Sequence, residues 1–380
     1  MRIEDLRQQI DQTDAELLRL FQERMEISAK IAAWKKENGV PVLDKARERK
    51  KLQAVADAVP GELRDDARLF MSTLMGLSRS CQHRLNGESS LLSEEIGKAI
   101  SDTPELFPRE AAVACQGVEG ANSQLATSRL FRNANILYFS SFEAVFSAIE
   151  KGLCRYGILP LENSTAGSVN SVYDLMMKHD FKIVRSVRLK VDHYLLALPG
   201  TKLSDIREIR SHEQAISQCS EFLKSLPGVR IVPCDNTAAA AKYVAESGRH
   251  DVASLSSRAC IEEYGLSCLK ASVQDSSGNY TRFICISKDL EIYPGADRTS
   301  LMATLVHEPG SLYQLLSRLY VLGINLIKLE SRPLPDRSFE FMFYYDLDIP
   351  VYQPEFRQLI LELPSVTESF TYLGSYSEVI

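Results

Sequence analysis

Between Ile3 and Trp34 the chain carries an apolar stripe at heptad spacing, and this stripe limits what the N-terminal region can become. Positions 3, 6, 10, 13, 17, 20, 24, 27, 31 and 34 hold Ile, Leu, Ile, Thr, Leu, Leu, Arg, Ile, Ile and Trp, eight apolar residues of ten. The first helix breakers are Gly39 and Pro41, and a second pair follows at Pro60 and Gly61. The pattern predicts one helix of about 35 residues, ~50 Å long, and two shorter helices up to residue 86. A three-helix segment of this size cannot cover such a stripe alone, so the seam is expected to pack against a second copy as a helical dimer.

At 380 residues the chain has room for two to three domains. Its 44 Lys+Arg against 50 Asp+Glu leave a net charge of −6, which excludes a global attraction for nucleic acid or an anionic membrane. No stretch approaches the ~18 uncharged apolar residues of a membrane span, and the start, Met1 to Asp5, has no apolar signal-peptide core. A cytosolic protein is expected. The eight cysteines include no C-x-x-C pair and none at a zinc-ligand spacing from a histidine. They are expected to be reduced, mostly buried thiols, with no metal.

Residues 87 to 109, ending in two proline-containing turns, read as a linker with room for one short helix. Strands then alternate with helical stretches: Ala111–Cys115, Tyr156–Leu161, Phe181–Val187, Tyr194–Leu198, Val229–Pro233, Asp251–Leu255 and Arg282–Ser287. The pattern predicts an α/β region with two lobes, the chain entering the second near residue 190 and returning in the 280s. The last 80 or so residues predict strand 301–307, helix 311–322, strand 324–331, a Pro-Asp turn, strand 339–347, helix 354–363 and strand 367–376. This βαββαβ order is that of a ferredoxin-like α+β module.

Several polar residues stand where chemistry needs them. Arg24 lies on the apolar seam and Lys35 three turns later on nearly the same face. Two cations there need either a carboxylate of the protein, such as Asp44 or Glu48, or an anionic ligand. Ser78 and Gln82, four apart, present two neutral hydrogen-bonding groups on one helix face. In the α/β region Gly117-x-x-Gly120-x-x-Ser123 follows a strand, but it lacks the lysine and the G-x-G core of nucleotide-binding loops. Glu162 to Thr165, Ser211 and His212 with Gln218, and Asn279 to Phe283 place polar groups at strand ends, where open α/β sheets hold ligands. Capping and turn roles are the alternative for each. His193 and His212 suit either proton transfer or a structural role.

The series Arg7, Arg24, Lys35, Asp44, Arg47, Glu48, Ser78 and Gln82 closely resembles the all-helical chorismate mutases in residue type, order and spacing. The resemblance implies an intertwined dimer in which Arg7, given by the partner, and Arg24 bind the two carboxylates of chorismate. Lys35 and Gln82 would approach the ether oxygen and Glu48 the substrate hydroxyl, with Asp44, Arg47 and Ser78 completing the pocket. Residues 111 to 287 resemble prephenate dehydratase throughout, including the Gly117 to Ser123 loop, the Pro160 to Gly167 loop, Asp192-His193, Ser211-His212 and Thr281-Arg282-Phe283. That family's site lies between two lobes. The likeness implies Thr281 as catalytic residue, substrate contacts from Asn163, Ser211 and Gln218, and Arg282 as a carboxylate partner or lobe-bridging residue. The last module resembles ACT domains through Pro309-Gly310-Ser311-Leu312 and Glu330-Ser331-Arg332-Pro333. Those two segments imply a phenylalanine effector site, with Ser311 departing from the commoner Gly-Ala-Leu pattern.

The implied organisation is a mutase domain at 1–88, a linker at 89–109, a dehydratase domain at 110–288 and an ACT domain at 299–380. The order is that of the bifunctional chorismate mutase/prephenate dehydratases. It implies chorismate and prephenate as substrates, L-phenylalanine as effector, no cofactor, and a homodimer or higher homo-oligomer. The alternative is a non-catalytic amino-acid sensor whose helices only dimerise.

Overall fold

The computed structural model describes residues 2–86, 91–335, 337 and 340–380. Contacts group the chain into two units, one formed by residues 1–97, 302–344 and 352–371, the other by 98–301, 345–351 and 372–380.

The helical segment consists of α1 (Ile3–Glu37), α2 (Lys45–Asp57) and α3 (Arg64–Asn86). Helix α1 has 35 residues, as the stripe predicts. Its start is held by the Arg2 backbone N–H donating to Asp5 at 3.2 Å, and it stops before Gly39, whose φ of +64° few other residues adopt. Every residue from 2 to 20 is exposed, and the seam stays open along the helix, with Ile10 at 61% and Trp34 at 57% exposure. The face that loses exposure includes the seam residue Arg24 and, beside the seam, Phe21, Met25, Ser28, Ala32 and Lys35. From it Arg24, Met25 and Ser28 make hydrogen bonds with α3.

Helix α4 (Leu91–Asp102) occupies much of the expected linker, whose residues 89 and 90 lie outside the described residues. The α/β region runs β1 (Glu110–Gln116), α5 (Asn122–Leu130), β2 (Asn133–Phe139), α6 (Phe142–Glu150), β3 (Tyr156–Asn163), β4 (Gly167–Ser168), α7 (Asn170–Met176) and β5 (Lys182–Lys190). The second lobe follows as β6 (Tyr194–Ala197), β7 (Glu208–Ser211), α8 (Glu213–Gln218), α9 (Ser220–Lys224), β8 (Arg230–Pro233), α10 (Thr237–Ser247), β9 (Val252–Ser256), α11 (Ala259–Tyr264) and β10 (Ser267–Lys270), before β11 (Tyr280–Ser287) returns to the first.

The two predicted lobes are therefore present. The first sheet has the order β16-β5-β11-β3-β1-β2, with β4 against β3 and β16 being Glu378–Val379; the second has the order β10-β6-β9-β7-β8. The chain crosses between them twice, after Lys190 and before Tyr280. Strands β2, β4, β7, β10 and β16 are additional to those predicted. The β7 sequence Glu-Ile-Arg-Ser hides its strand because the charged Glu208 is buried, a burial offset by Arg210 at 2.6 Å.

The C-terminal module follows the predicted order: β12 (Arg298–Thr304), α12 (Ser311–Val321), β13 (Asn325–Pro333), β14 (Phe341–Asp348), α13 (Pro354–Glu362) and β15 (Ser369–Tyr376). The sheet order is β13-β14-β12-β15, the split βαβ arrangement. Phe339, where the third strand was expected to begin, and Asp336 of the Pro-Asp turn lie outside the described residues.

Candidate active sites

In the helical segment, Arg24 and Ser28 on α1 face Ser78 and Gln82 on α3. The Arg24 guanidinium donates to the Ser78 hydroxyl and, at 3.0 Å, to the Leu74 carbonyl. Ser28 donates to the Ser78 carbonyl at 3.3 Å and accepts from the Gln82 amide at 3.2 Å. The other end of that amide has no hydrogen-bond partner although Gln82 is buried. Lys35 donates to the Val42 carbonyl at 2.6 Å, leaving two of its three N–H groups. Among the described residues neither Arg24 nor Lys35 has a carboxylate partner, so the protein itself does not neutralise this pair of cations. Burial lowers the Arg24 pKa from its ordinary value, the sign of a cation drawn partly out of water.

The remaining residues of this group are placed unevenly. Glu48, half-buried, is ion-paired with Arg79, which sequence reasoning missed even though it follows Ser78 directly. Asp44 caps α2 by accepting from the Arg47 backbone N–H at 3.0 Å, and the Asp44 and Arg47 side chains are exposed. Arg7 is exposed and stands 17 residues, about 25 Å, from Arg24 along one helix, so one copy cannot bring them to the same pocket.

In the α/β region Asn163 and Thr281 are directly opposed on β3 and β11. Backbone N–H groups of Thr165 and Ala166 donate to the Asn163 Oδ1 at 3.0 and 2.9 Å, which fixes the orientation of the amide. Its Nδ2 therefore points to the Thr281 hydroxyl at 2.9 Å and to Asn279 at 2.7 Å. Gln218, from α8 in the second lobe, donates to the Thr165 hydroxyl at 2.8 Å and accepts from Asn279 at 2.9 Å and from His193 at 2.9 Å. That acceptor makes His193 Nε2 the protonated nitrogen, and desolvation holds the ring's pKa below its ordinary value, so it is neutral near pH 7. His193 thus anchors Gln218. His212 caps α8, its Nδ1 accepting from the Gln214 N–H at 3.2 Å.

Two expected members of this centre are elsewhere. Ser211 is fully buried and donates to the Leu255 carbonyl at 2.6 Å, binding β7 to β9. Arg282 follows Thr281 on the strand and so points to the opposite face. There its guanidinium is buried against Asp346 at 2.5 Å, Glu162 at 3.2 Å and the Tyr376 hydroxyl at 2.9 Å. It is a core cation rather than a substrate cation. Asn279 and Thr165 were visible in the motifs, but only the fold shows them joining Asn163 to Gln218.

A cavity of about 400 Å³ lies between the lobes at the 190–194 crossover, where Lys190, Asp192 and Tyr194 line it. Asn122 and Leu125 of α5 line it, with Lys190, Asp192, Arg258 and Glu262. Arg258 makes no ion pair among the described residues, and Lys190 pairs with Asp192 at 3.3 Å. The Gly117–Gly120 loop is shaped by packing: a Cβ at Gly120 (φ +79°) would stand 2.8 Å from the Cys260 sulfur. All eight cysteines are free, five of them buried, and burial pushes the Cys115 thiol to about 11 and Cys219 to about 12. Among the described residues no three His, Cys, Asp or Glu side chains converge as a metal site, and no helix is long and apolar enough to cross a membrane.

The effector candidates sit at two ends within the C-terminal module. Gly310 (φ +88°) caps α12, whose first residues are Ser311 and Leu312, and Ser311 donates to the Glu308 carbonyl at 3.0 Å. Glu330, Ser331, Arg332 and Pro333 close β13, with Glu330 3.8 Å from Lys328.

Two known families match separate segments of the chain. Residues 6–83 match the family described as chorismate mutase type II, and residues 113–291 the family described as prephenate dehydratase. The bifunctional chorismate mutase/prephenate dehydratase of Aquifex aeolicus is 27% identical over 380 residues, spanning 100% of this chain and 98% of that protein. Arogenate dehydratase/prephenate dehydratase 2 of Arabidopsis thaliana, a chloroplastic protein, is 33% identical over 316 residues, 76% of this chain and 82% of the relative. The chain belongs to the bifunctional chorismate mutase/prephenate dehydratase family. The prephenate dehydratase of Arthrobacter aurescens, solved in complex with L-Phe, superposes with a TM-score of 0.65 at 26% identity, covering 70% of this chain and 90% of that one. A bifunctional enzyme of this family rearranges chorismate to prephenate and converts prephenate to phenylpyruvate, which sets aside the non-catalytic sensor.

Proposed function

We propose that the two reactions run in two separate centres, the rearrangement between α1 and α3 and the dehydration in the two-lobed cleft. The observation that carries the first is that Arg24 and Lys35 meet only neutral oxygens, as a pocket for a dianion requires. A pericyclic rearrangement transfers no proton and forms no covalent intermediate. The enzyme contributes a fixed reactive conformer and charge placed where charge develops. Arg24 binds one substrate carboxylate, and Lys35 donates to the ether oxygen. Gln82 joins it by turning its amide over, since the Ser28 hydroxyl can donate as well as accept. Glu48 accepts from the substrate hydroxyl, while Ser78, Asp44 and Arg47 shape the pocket. Arg7 enters from a second copy, whose α1 covers the open seam, making the functional form a homodimer or higher homo-oligomer.

In the cleft, prephenate loses CO2 and hydroxide and the ring becomes aromatic. Asn163 donates to the Thr281 oxygen, so the Thr281 hydroxyl hydrogen is directed away from Asn163 and toward the leaving hydroxyl. Gln218 and Asn279 hold that geometry. With Arg282 engaged in the core, Arg258 and Lys190 are the cations that meet the substrate carboxylates. The carboxylates Asp192 and Glu262 in the same cavity favour arogenate, which carries an ammonium group, as a second substrate.

The C-terminal module is proposed to be an ACT domain binding L-phenylalanine through Gly310–Leu312 and Glu330–Pro333, a reading supported by the L-Phe complex of the Arthrobacter relative. The proposed boundaries are 1–88, 89–109, 110–288 and 299–380, in a cytoplasmic enzyme. The test is to incubate the purified chain with chorismate, prephenate or arogenate and separate the products, with and without phenylalanine. Phenylpyruvate from chorismate, reduced by phenylalanine, supports the whole scheme. Prephenate accumulating alone refutes the cleft assignment, and no response to phenylalanine refutes the effector site.

A further inference from the structure

A line of charge, buried from Arg79 onward, joins the mutase helices to the C-terminal module inside one unit of the chain. It begins at Glu48, ion-paired with Arg79. Arg79 is 7% exposed, and its Nε has no hydrogen-bond partner. Across Gly76 stands Arg318 of α12: a Cβ built on Gly76 would be 3.1 Å from the Arg318 Nη2 and 3.8 Å from the Arg79 Nη2. Arg318, 8% exposed, lies 3.9 Å from the Glu362 carboxylate. Glu362, 1% exposed, accepts from the Ser80 hydroxyl at 3.1 Å and from the Gln358 amide at 2.8 Å.

The order of charges is negative, positive, positive, negative. Two buried guanidiniums that close repel each other, and each is held by the carboxylate on its outer side. Burial and the nearby Arg79 and Arg84 lower the Arg318 pKa, while Glu362 raises it. If Glu362 were neutral, Arg318 would keep its charge without a counterion and compete with Arg79 for Glu48. Ser80 ties the far carboxylate back to α3 two residues after Ser78, so the line closes on the pocket helix.

We propose that Arg318 and Glu362, both from the C-terminal module, are positioning residues for the mutase reaction, acting through Arg79 on Glu48. The inference rests on the proposed role of Glu48 in the mutase pocket. It predicts that the mutase depends on a module lying more than 200 residues further along the sequence.

The experiment is steady-state mutase kinetics on the full chain, with thermal melting and dehydratase turnover as folding controls. Glu362→Gln and Arg318→Met should each raise the KM for chorismate about five- to tenfold with kcat within about twofold, as expected when a binding contact is misplaced. Arg318→Lys should restore most of the affinity, which a contact mattering only for volume would not do. Ser80→Ala tests the same link from α3 should Glu362→Gln fold poorly. Combined with Glu48→Gln, Glu362→Gln should add nothing, because its effect passes through Glu48. Unchanged KM in the single variants, or effects that multiply in the double variant, overturn the proposal and leave the pocket assignment standing. Unchanged mutase activity in Glu48→Gln overturns both.

Discussion

The helical segment and the two-lobed region handle polarity in opposite ways. Between α1 and α3 two cations rest against a hydroxyl and backbone carbonyls, their charge not neutralised by the chain. In the cleft Asn163, Thr281, Asn279, Gln218 and His193 are neutral and bonded to one another, and the nearby cation Arg282 is locked into carboxylates on the other face of its strand. The difference follows the proposed chemistry. A rearrangement with no proton to move gains from fixed charge, whereas an elimination that ends in an aromatic ring gains from a donor held in one orientation. The regions also differ in completeness. The cleft is closed by a chain that crosses the lobes twice, while α1 leaves its seam open, and covering each large apolar side chain there is worth about 1.5–3 kcal/mol.

The comparison is tested most severely by Arg24→Ala. Removing a fixed cation should lower mutase kcat/KM by about 10²–10³-fold and leave dehydratase turnover unchanged; a loss of both would show that the centres are not separate. Thr281→Ala should do the reverse, lowering phenylpyruvate formation about 10²-fold while prephenate still forms, with Thr281→Ser retaining much of the rate. Arg282→Gln should act on stability alone. Breaking a buried ion cluster costs about 3–5 kcal/mol, read as a lower melting temperature with little change in the KM for prephenate. Mixing Arg7→Ala chains with Arg24→Ala chains sharpens the contrast in completeness. If each pocket takes one arginine from each copy, about a quarter of the pockets regain both, and mutase activity returns to about that fraction. No recovery would mean that both arginines serve from one chain.

The smallest effect concerns pH. His193 has a folded pKa below its unfolded value, so below about pH 6.5 the unfolded chain binds the extra proton and stability falls as pH drops. His193→Asn keeps an N–H donor for Gln218 and cannot titrate, so it should flatten the melting temperature between pH 7 and 5.5.

The length of α1, its breaks, the two-lobed alternation and the βαββαβ module were legible because each rests on local rules: periodicity, helix breakers and strand runs read within a dozen residues. Thr281, Asn163 and Gln218 were legible from their motifs. Tertiary structure alone decided which of these polar groups meet. Thr281 and Arg282 are neighbours in sequence and face opposite sides of a strand, while Asn163 and Gln218, 55 residues apart, share one network. Arg79 and Arg318 show the same limit from the other direction. A buried cation looks like any surface arginine until the fold supplies its carboxylate, because the cost of burying charge is set by what lies across the contact and not by its neighbours along the chain.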